Sequence, residues 1–171
     1  MNFMRKLLQQ SGKDAFAWSL APLRLIVGYG FLAHGLAKLG RGLEAFPAIV
    51  TQMGLPMPHL LGLATIAVEI VGGAAVLAGF LTRIACLPMI VILVVAIFTV
   101  HLPYGFSSIK LIAVTNAGPQ FGPPGYETAL LYVACLAALN LGGSGPLSVD
   151  GVLARRSNLD IGGVRLKHRV P

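Results

Sequence analysis

The sequence predicts an all-α integral membrane protein: a four-helix bundle with an N-terminal interfacial helix and outer-side loop helices. Composition is the first sign. Of the 171 residues 56% are hydrophobic and only 11% charged, against about 25% charged in an ordinary soluble domain. So few charges cannot cover a water-facing surface of this size, and the same numbers exclude disorder for the bulk of the chain. Four apolar runs are the second sign, and basic residues collected beside those runs are the third. The net charge of +7 would point to nucleic acid in a soluble protein. Here the positives flank apolar segments (Arg5–Lys13 and Arg155–Arg169), where they set topology and meet anionic lipid. The expected partner is therefore the bilayer, and no nucleic acid is expected.

Taken in order, residues 1–19 form a cytoplasmic interfacial segment. Phe3, Met4, Leu7 and Leu8 share one helical face, and Trp18 sits at headgroup level. No cleavable signal peptide is expected. Residues 20–150 form the membrane domain, with apolar runs at about 20–39, 60–81, 84–100 and 127–141. A spanning helix needs roughly 17–25 residues, so the first three qualify and the fourth is marginal. The segment Gly42–Gly54 is too short to span and reads as a half-inserted or surface helix. The segment Leu102–Gly125 is a long Gly- and Pro-rich loop with an apolar patch at Ile109–Val114, placed to cap the bundle. Residues 151–171 make a basic cytoplasmic tail. With four spans, ten Lys and Arg fall inside and three, Lys38, Arg41 and Lys110, fall outside. This positive-inside bias places both termini on the cytoplasmic side of the membrane. Cys86 and Cys135 lie in apolar runs without a metal or dithiol spacing and read as inert packing.

Ionisable side chains at membrane depth are costly and face the bundle interior. On span one Arg24, Gly28, Phe31, His34, Gly35 and Lys38 recur at spacings of three and four, which is one helical stripe. On span two Gly62, Thr65, Glu69, Gly72 and Gly73 share another. Glycines permit close approach, so the two stripes are expected to face each other. A rise of 1.5 Å per residue puts Glu69 about 13 Å, and His34 about 8 Å, below the outer ends of their spans. His101 and Glu127 sit at the outer mouths of spans three and four, and His59 lies just outside span two. Polar groups from four spans thus converge in the outer half.

A His and a carboxylate in a low-dielectric pocket can exchange protons. Glu69, His34 and His101 are the catalytic candidates, and Lys38, Glu127 and Arg24 the candidates for holding a cofactor. Such a cluster suits a quinone, whose electron transfer must be matched by proton movement. Two or three His with a Glu could also hold a transition metal, although no metal ligand set is assigned, and a haem would need an axial His facing a large cavity. The plainer reading is a buried Glu69–His34 or Glu69–Lys38 pair that fixes helix packing. Arg24 and Lys38 each have a snorkelling alternative near a membrane surface.

The order of these pieces resembles the DoxX family of small bacterial and archaeal membrane proteins. Span one carries R-x3-G-x5-H-G-x2-K (Arg24, Gly28, His34, Gly35, Lys38), and the following loop carries G-x-P-x-P (Gly54, Pro56, Pro58). Span two carries E-x2-G-G-x5-G-x2-T-R (Glu69, Gly72, Gly73, Gly79, Thr82, Arg83). His101 and Gly105 close span three, Gly125 and Glu127 open span four, and Gly143, Gly145, Pro146, Ser148 and Asp150 follow it. The resemblance covers residues 20–150 and implies a four-helix membrane bundle. Some relatives are subunits of thiosulfate:quinone oxidoreductase, and another group resembles a membrane component of a complex linking superoxide dismutase and a sulfurtransferase. It also implies a redox partner protein, because no further soluble domain is expected here. The expected function is a membrane subunit of a quinone-linked redox system. The rival expectation is a non-catalytic scaffold or small-molecule permease. Glycine-rich faces also make a homodimer an expectation.

Overall fold

The computed structural model describes residues 2–155, and the side chains of 15–155. The apolar face expected on residues 3–8 and the basic tail from residue 156 lie outside the described side chains and residues. Helix α1 runs unbroken over Asn2–Gly40. The expected interfacial helix and the first span are therefore one rod, with no break between them. The part long and apolar enough to cross a membrane is Ala15–Gly40, 26 residues. Gly42, at φ +97°, turns the chain into the short helix α2 (Ala45–Gln52), which realises the surface helix expected over 42–54. Helix α3 (Pro58–Ala78, 21 residues) and helix α4 (Thr82–Tyr104, 23 residues) are the second and third candidate spans. Gly79 and Leu81, both left-handed, make the tight turn between them. So short a connection forces α3 and α4 to run antiparallel as neighbours.

The loop after α4 is not a bare cap. It holds an antiparallel hairpin, β1 (Leu111–Thr115) and β2 (Gly118–Phe121), with Thr115 opposite Gly118 and Leu111 opposite Phe121. Helix α5 (Glu127–Gly142) then returns through the bundle. Its 16 residues span about 24 Å at 1.5 Å per residue, short of a hydrocarbon core of about 30 Å. Among the described residues three helices thus have spanning length, and α5 is a shorter apolar helix packed with them.

In the packing, α1 lies against α3 and α5, α4 lies against α5, and α2 covers the start of α3. The core is Leu20, Val27, Phe31, Val76, Cys86, Met89, Leu136 and Leu139. Cys86 is fully buried there, and both cysteines are free thiols. Outside, large apolar side chains such as Ile26, Val71, Ile84, Val91 and Phe98 stand exposed on all three long helices. In water such a surface would aggregate. In a bilayer it is the ordinary lipid-facing surface, and helices satisfy their own backbone groups there. The chain is an all-α membrane protein, carrying one small hairpin.

Candidate functional site

The bundle has two polar ends: one at Lys38 and the starts of α3 and α5, the other at Arg24 and the α3–α4 turn. The site at the Lys38 end begins with glycine. A Cβ on Gly28 would lie 2.6 Å from the Leu77 nitrogen, and one on Gly73 would lie 2.6 Å from the Leu32 nitrogen. A Cβ on Gly35 would lie 3.0 Å from the Glu69 Cβ. These obstacles are mostly backbone, so α1 and α3 touch where both lack a side chain. The stripes meet in part: Gly28, Gly35 and Lys38 face Gly73 and Glu69, while Gly62 packs on Pro47 of α2 and Gly72 on Met89 of α4, and the contact sets Glu69 against α1.

Glu69 is 6% exposed. Its Oε1 accepts a hydrogen bond from Lys38 Nζ at 2.5 Å. The same ammonium stands 4.2 Å from the centre of the Phe46 ring, so α2 covers the pair from above. Glu69 Oε2 is buried with no partner. A buried carboxylate oxygen without a donor is costly, and such an atom marks a place where a ligand or water completes the site. Of the two pairings left open by the sequence, the structure makes Glu69–Lys38.

Glu69, His34 and His101 line one cavity of about 270 Å³, together with Phe31, Leu93, Gly125, Ala129 and Tyr132. Two of the three polar residues sit on irregular helix. Glu69 lies in a π-helical turn, Val68–Gly72, and His101 ends another, Ile97–His101. Such turns insert a residue and re-aim the side chains near them, and they recur at functional sites. His101 Nδ1 donates to the Pro124 carbonyl at 3.1 Å. That bond places a proton on Nδ1 and leaves Nε2 free to accept or, when charged, donate. His34 has no hydrogen-bond partner among the described residues.

Three expected site residues are thus brought together, and Lys38 joins them through Glu69. Two are not. Glu127 Oε2 accepts from the Ser108 backbone N–H at 2.9 Å, holding the loop on the start of α5. Arg24 lies at the other end, about 15 Å along α1 from His34 by helical rise. It is 4% exposed and donates to the carbonyls of Ser144 at 2.7 Å and Leu147 at 2.9 Å. Asp150 closes the same latch by accepting from the Leu81 and Thr82 N–H groups. The R…G-x-G-P-x-S-x-D part of the pattern therefore builds a structural clasp. His59 stays outside the cavity and donates to Glu44 on the exposed surface.

Sequence reasoning missed Tyr132. Its hydroxyl occupies the notch left by Gly30, where a Cβ would overlap it, and its ring tilts against Phe31 at 5.8 Å. The available signal was a phenol in the middle of an apolar run, one turn after Thr128. Among the described residues no three His, Cys, Asp or Glu side chains gather as a metal site. The cavity lies just under the roughly 300–1,000 Å³ of common ligand sites, a size that suits one small ring. Chemically it offers an apolar slot with a shielded carboxylate, a compensating ammonium and two imidazoles.

No solved structure matches the chain. The chain is 33% identical over 96 residues to "Uncharacterized membrane protein Rv3486" of Mycobacterium tuberculosis, covering 54% of this chain and 59% of that one. It is 33% identical over 137 residues to a Haemophilus influenzae protein, covering 77% of this chain and 87% of that one. It is 36% identical over 84 residues to "Putative oxidoreductase CatD" of Bacillus subtilis, covering 49% of this chain and 60% of that one. The chain thus spans about three fifths of two of these relatives and most of the third. The model of one family, DoxX, matches residues 19–102, which hold the Arg24–Lys38 stripe, the Glu69 stripe and His101. The chain belongs to the DoxX family of membrane proteins.

Proposed function

We propose that the protein is a membrane subunit of a redox system in which the cavity at the Lys38 end receives the headgroup of a quinone. The observation that carries this reading is the convergence of Glu69, His34 and His101 on one ring-sized apolar cavity. The name of the Bacillus subtilis relative adds support from outside the structure. A quinone supplies two-electron, two-proton chemistry when bound.

The residues divide the remaining tasks. Phe31, Leu93 and Tyr132 exclude water and face the ring. His101 Nε2, oriented by the Pro124 carbonyl, and the His34 imidazole meet the quinone oxygens as acceptors or donors. Glu69 holds a proton or a charge close by, and Lys38 compensates the charge when the carboxyl is ionised. In this reading a redox partner protein supplies the electrons. In this reading the cavity end faces outward from a bacterial plasma membrane and both termini are cytoplasmic. The glycines Gly28, Gly35 and Gly73 are used inside the bundle, so a homodimer would need another face.

The test is equilibrium binding of a tailless benzoquinone to the purified protein in mild detergent. Saturable binding that weakens about tenfold, or 1.4 kcal/mol, in Glu69→Gln supports the proposal. No binding by either protein contradicts it. A second reading, a non-catalytic scaffold or permease, draws on the Lys38–Glu69 pair, which ties α1 to α3. On that reading Glu69→Gln lowers bundle stability or uptake and changes no redox activity.

A further inference from the structure

Helices α1 and α5 pack along one seam. On α1 the seam residues are Leu20, Leu23, Val27 and Gly30, at spacings of three and four. On α5 they are Leu139, Leu136, Cys135 and Tyr132. At the Arg24 end the seam is tight: Leu20 stands against Gly142, and Leu136 and Leu139 are fully buried. Tyr132 over Gly30 is its last closed rung.

One turn further on, the next seam positions are His34 on α1 and Thr128 on α5. Both are exposed, as is Ala37 beyond His34. Both His34 and Thr128 also line the cavity. The seam therefore opens above Tyr132. His34 lies six residues before the end of α1, about 9 Å down the helix. With α1 spanning the membrane as proposed, that depth lies within the hydrocarbon layer, and the part of His34 exposed between the helices faces lipid. An imidazole without a partner facing acyl chains is unfavourable unless a ligand or water meets it.

We infer that this gap between α1 and α5 is a lateral portal, through which a lipid-dissolved ligand with a polar ring and an apolar tail enters the cavity from the bilayer. Its floor is the Tyr132–Gly30 contact, and its sides are His34 and Thr128. The ring passes into the cavity and the tail remains among the lipids. The inference rests on the cavity being the ligand site and adds the class of ligand, a membrane-resident one, and its route.

Two measurements test it. The first needs no ligand. Trp18 is the chain's one tryptophan, so His34→Trp in a Trp18→Phe background gives a single reporter in the gap. In vesicles containing doxyl-labelled phosphatidylcholine its emission should be quenched by the labelled lipid and unaffected by aqueous iodide. Quenching by iodide and not by lipid overturns the portal. The second compares dimethoxy-methyl-benzoquinone without a tail and with a polyisoprenoid tail, in liposomes. Ala37→Trp, which places an indole across the gap, should weaken the tailed quinone about tenfold and leave the tailless one within about twofold. Equal effects on both, or none on either, overturn the portal. If the unaltered protein binds neither quinone, the proposed function fails, and the fluorescence result alone decides the portal.

Discussion

Replacing Lys38 by Met removes the ammonium and keeps most of the apolar stem. It leaves Glu69, 6% exposed, as a carboxylate with neither oxygen partnered, since Oε2 already has none. Removing one member of a fully buried ion pair costs about 3–5 kcal/mol, because the other charge is stranded. Lys38 keeps 23% of its side chain exposed, so the lower end of that range applies. Loss of the contact with the Phe46 ring adds about 0.5–1 kcal/mol. The expected cost of Lys38→Met is therefore about 3.5–4 kcal/mol. Glu69→Gln should cost less, about 1 kcal/mol, because the freed Lys38 can extend toward the interface. The double variant should cost about 2.5–3 kcal/mol, below the sum of the two single losses by a coupling energy of about 2 kcal/mol. The assay is unfolding by sodium dodecyl sulfate in mixed micelles, followed by circular dichroism. If both single variants and the double all fall within about 0.5 kcal/mol of the parent, the pair behaves as an exposed one, and the buried-carboxylate argument is refuted.

Three further outcomes follow from the packing. Gly73→Ala should destabilise by about 2 kcal/mol, because its methyl meets the α1 backbone. Glycine to alanine ordinarily stabilises a helix by about 0.5–1 kcal/mol, so a rise in the same unfolding assay would show that α1 and α3 are not in backbone contact. Arg24→Lys should cost about 2 kcal/mol by losing the forked donation to Ser144 and Leu147. Hydrogen exchange should then quicken over residues 143–151 and not around His101, whereas a uniform increase would deny the two ends their independence. Gly30→Ala should cost about 1 kcal/mol by displacing Tyr132, and Tyr132→Phe should recover part of it. A Gly30→Ala protein as stable as the parent would contradict the closed rung of the seam.

The stripes were legible because helical spacing is a one-dimensional signal. Arg24, Gly28, His34 and Lys38 fall on one face in any straight helix, and glycine at the same depth on α3 marks where that face goes. The meeting of Glu69 with Lys38 and the approach of His101 follow from that registry and from the antiparallel turn at Gly79–Leu81. The π turns at Glu69 and His101 were not legible, because an inserted residue leaves the pattern of apolar residues almost unchanged. The hairpin escaped because both faces of Leu111–Thr115 are largely exposed and Pro119 interrupts β2, so neither strand shows an alternating pattern. Glu127 stands at a helix mouth, where a carboxylate suits either a ligand or a loop, and its bond to the Ser108 N–H is a long-range contact that no spacing reveals. Arg24 shared the stripe of His34, but a stripe fixes direction and not the partner it meets about 15 Å away.

Glu69, His34 and His101 share one cavity, and photoaffinity labelling with an azidobenzoquinone probes that space directly. Mass spectrometry of the labelled protein should place the adduct on segments holding His34, His101 or Tyr132, and excess unlabelled quinone should suppress it. Label spread over lipid-facing positions such as Val71 or Val91, and indifferent to competitor, would contradict it.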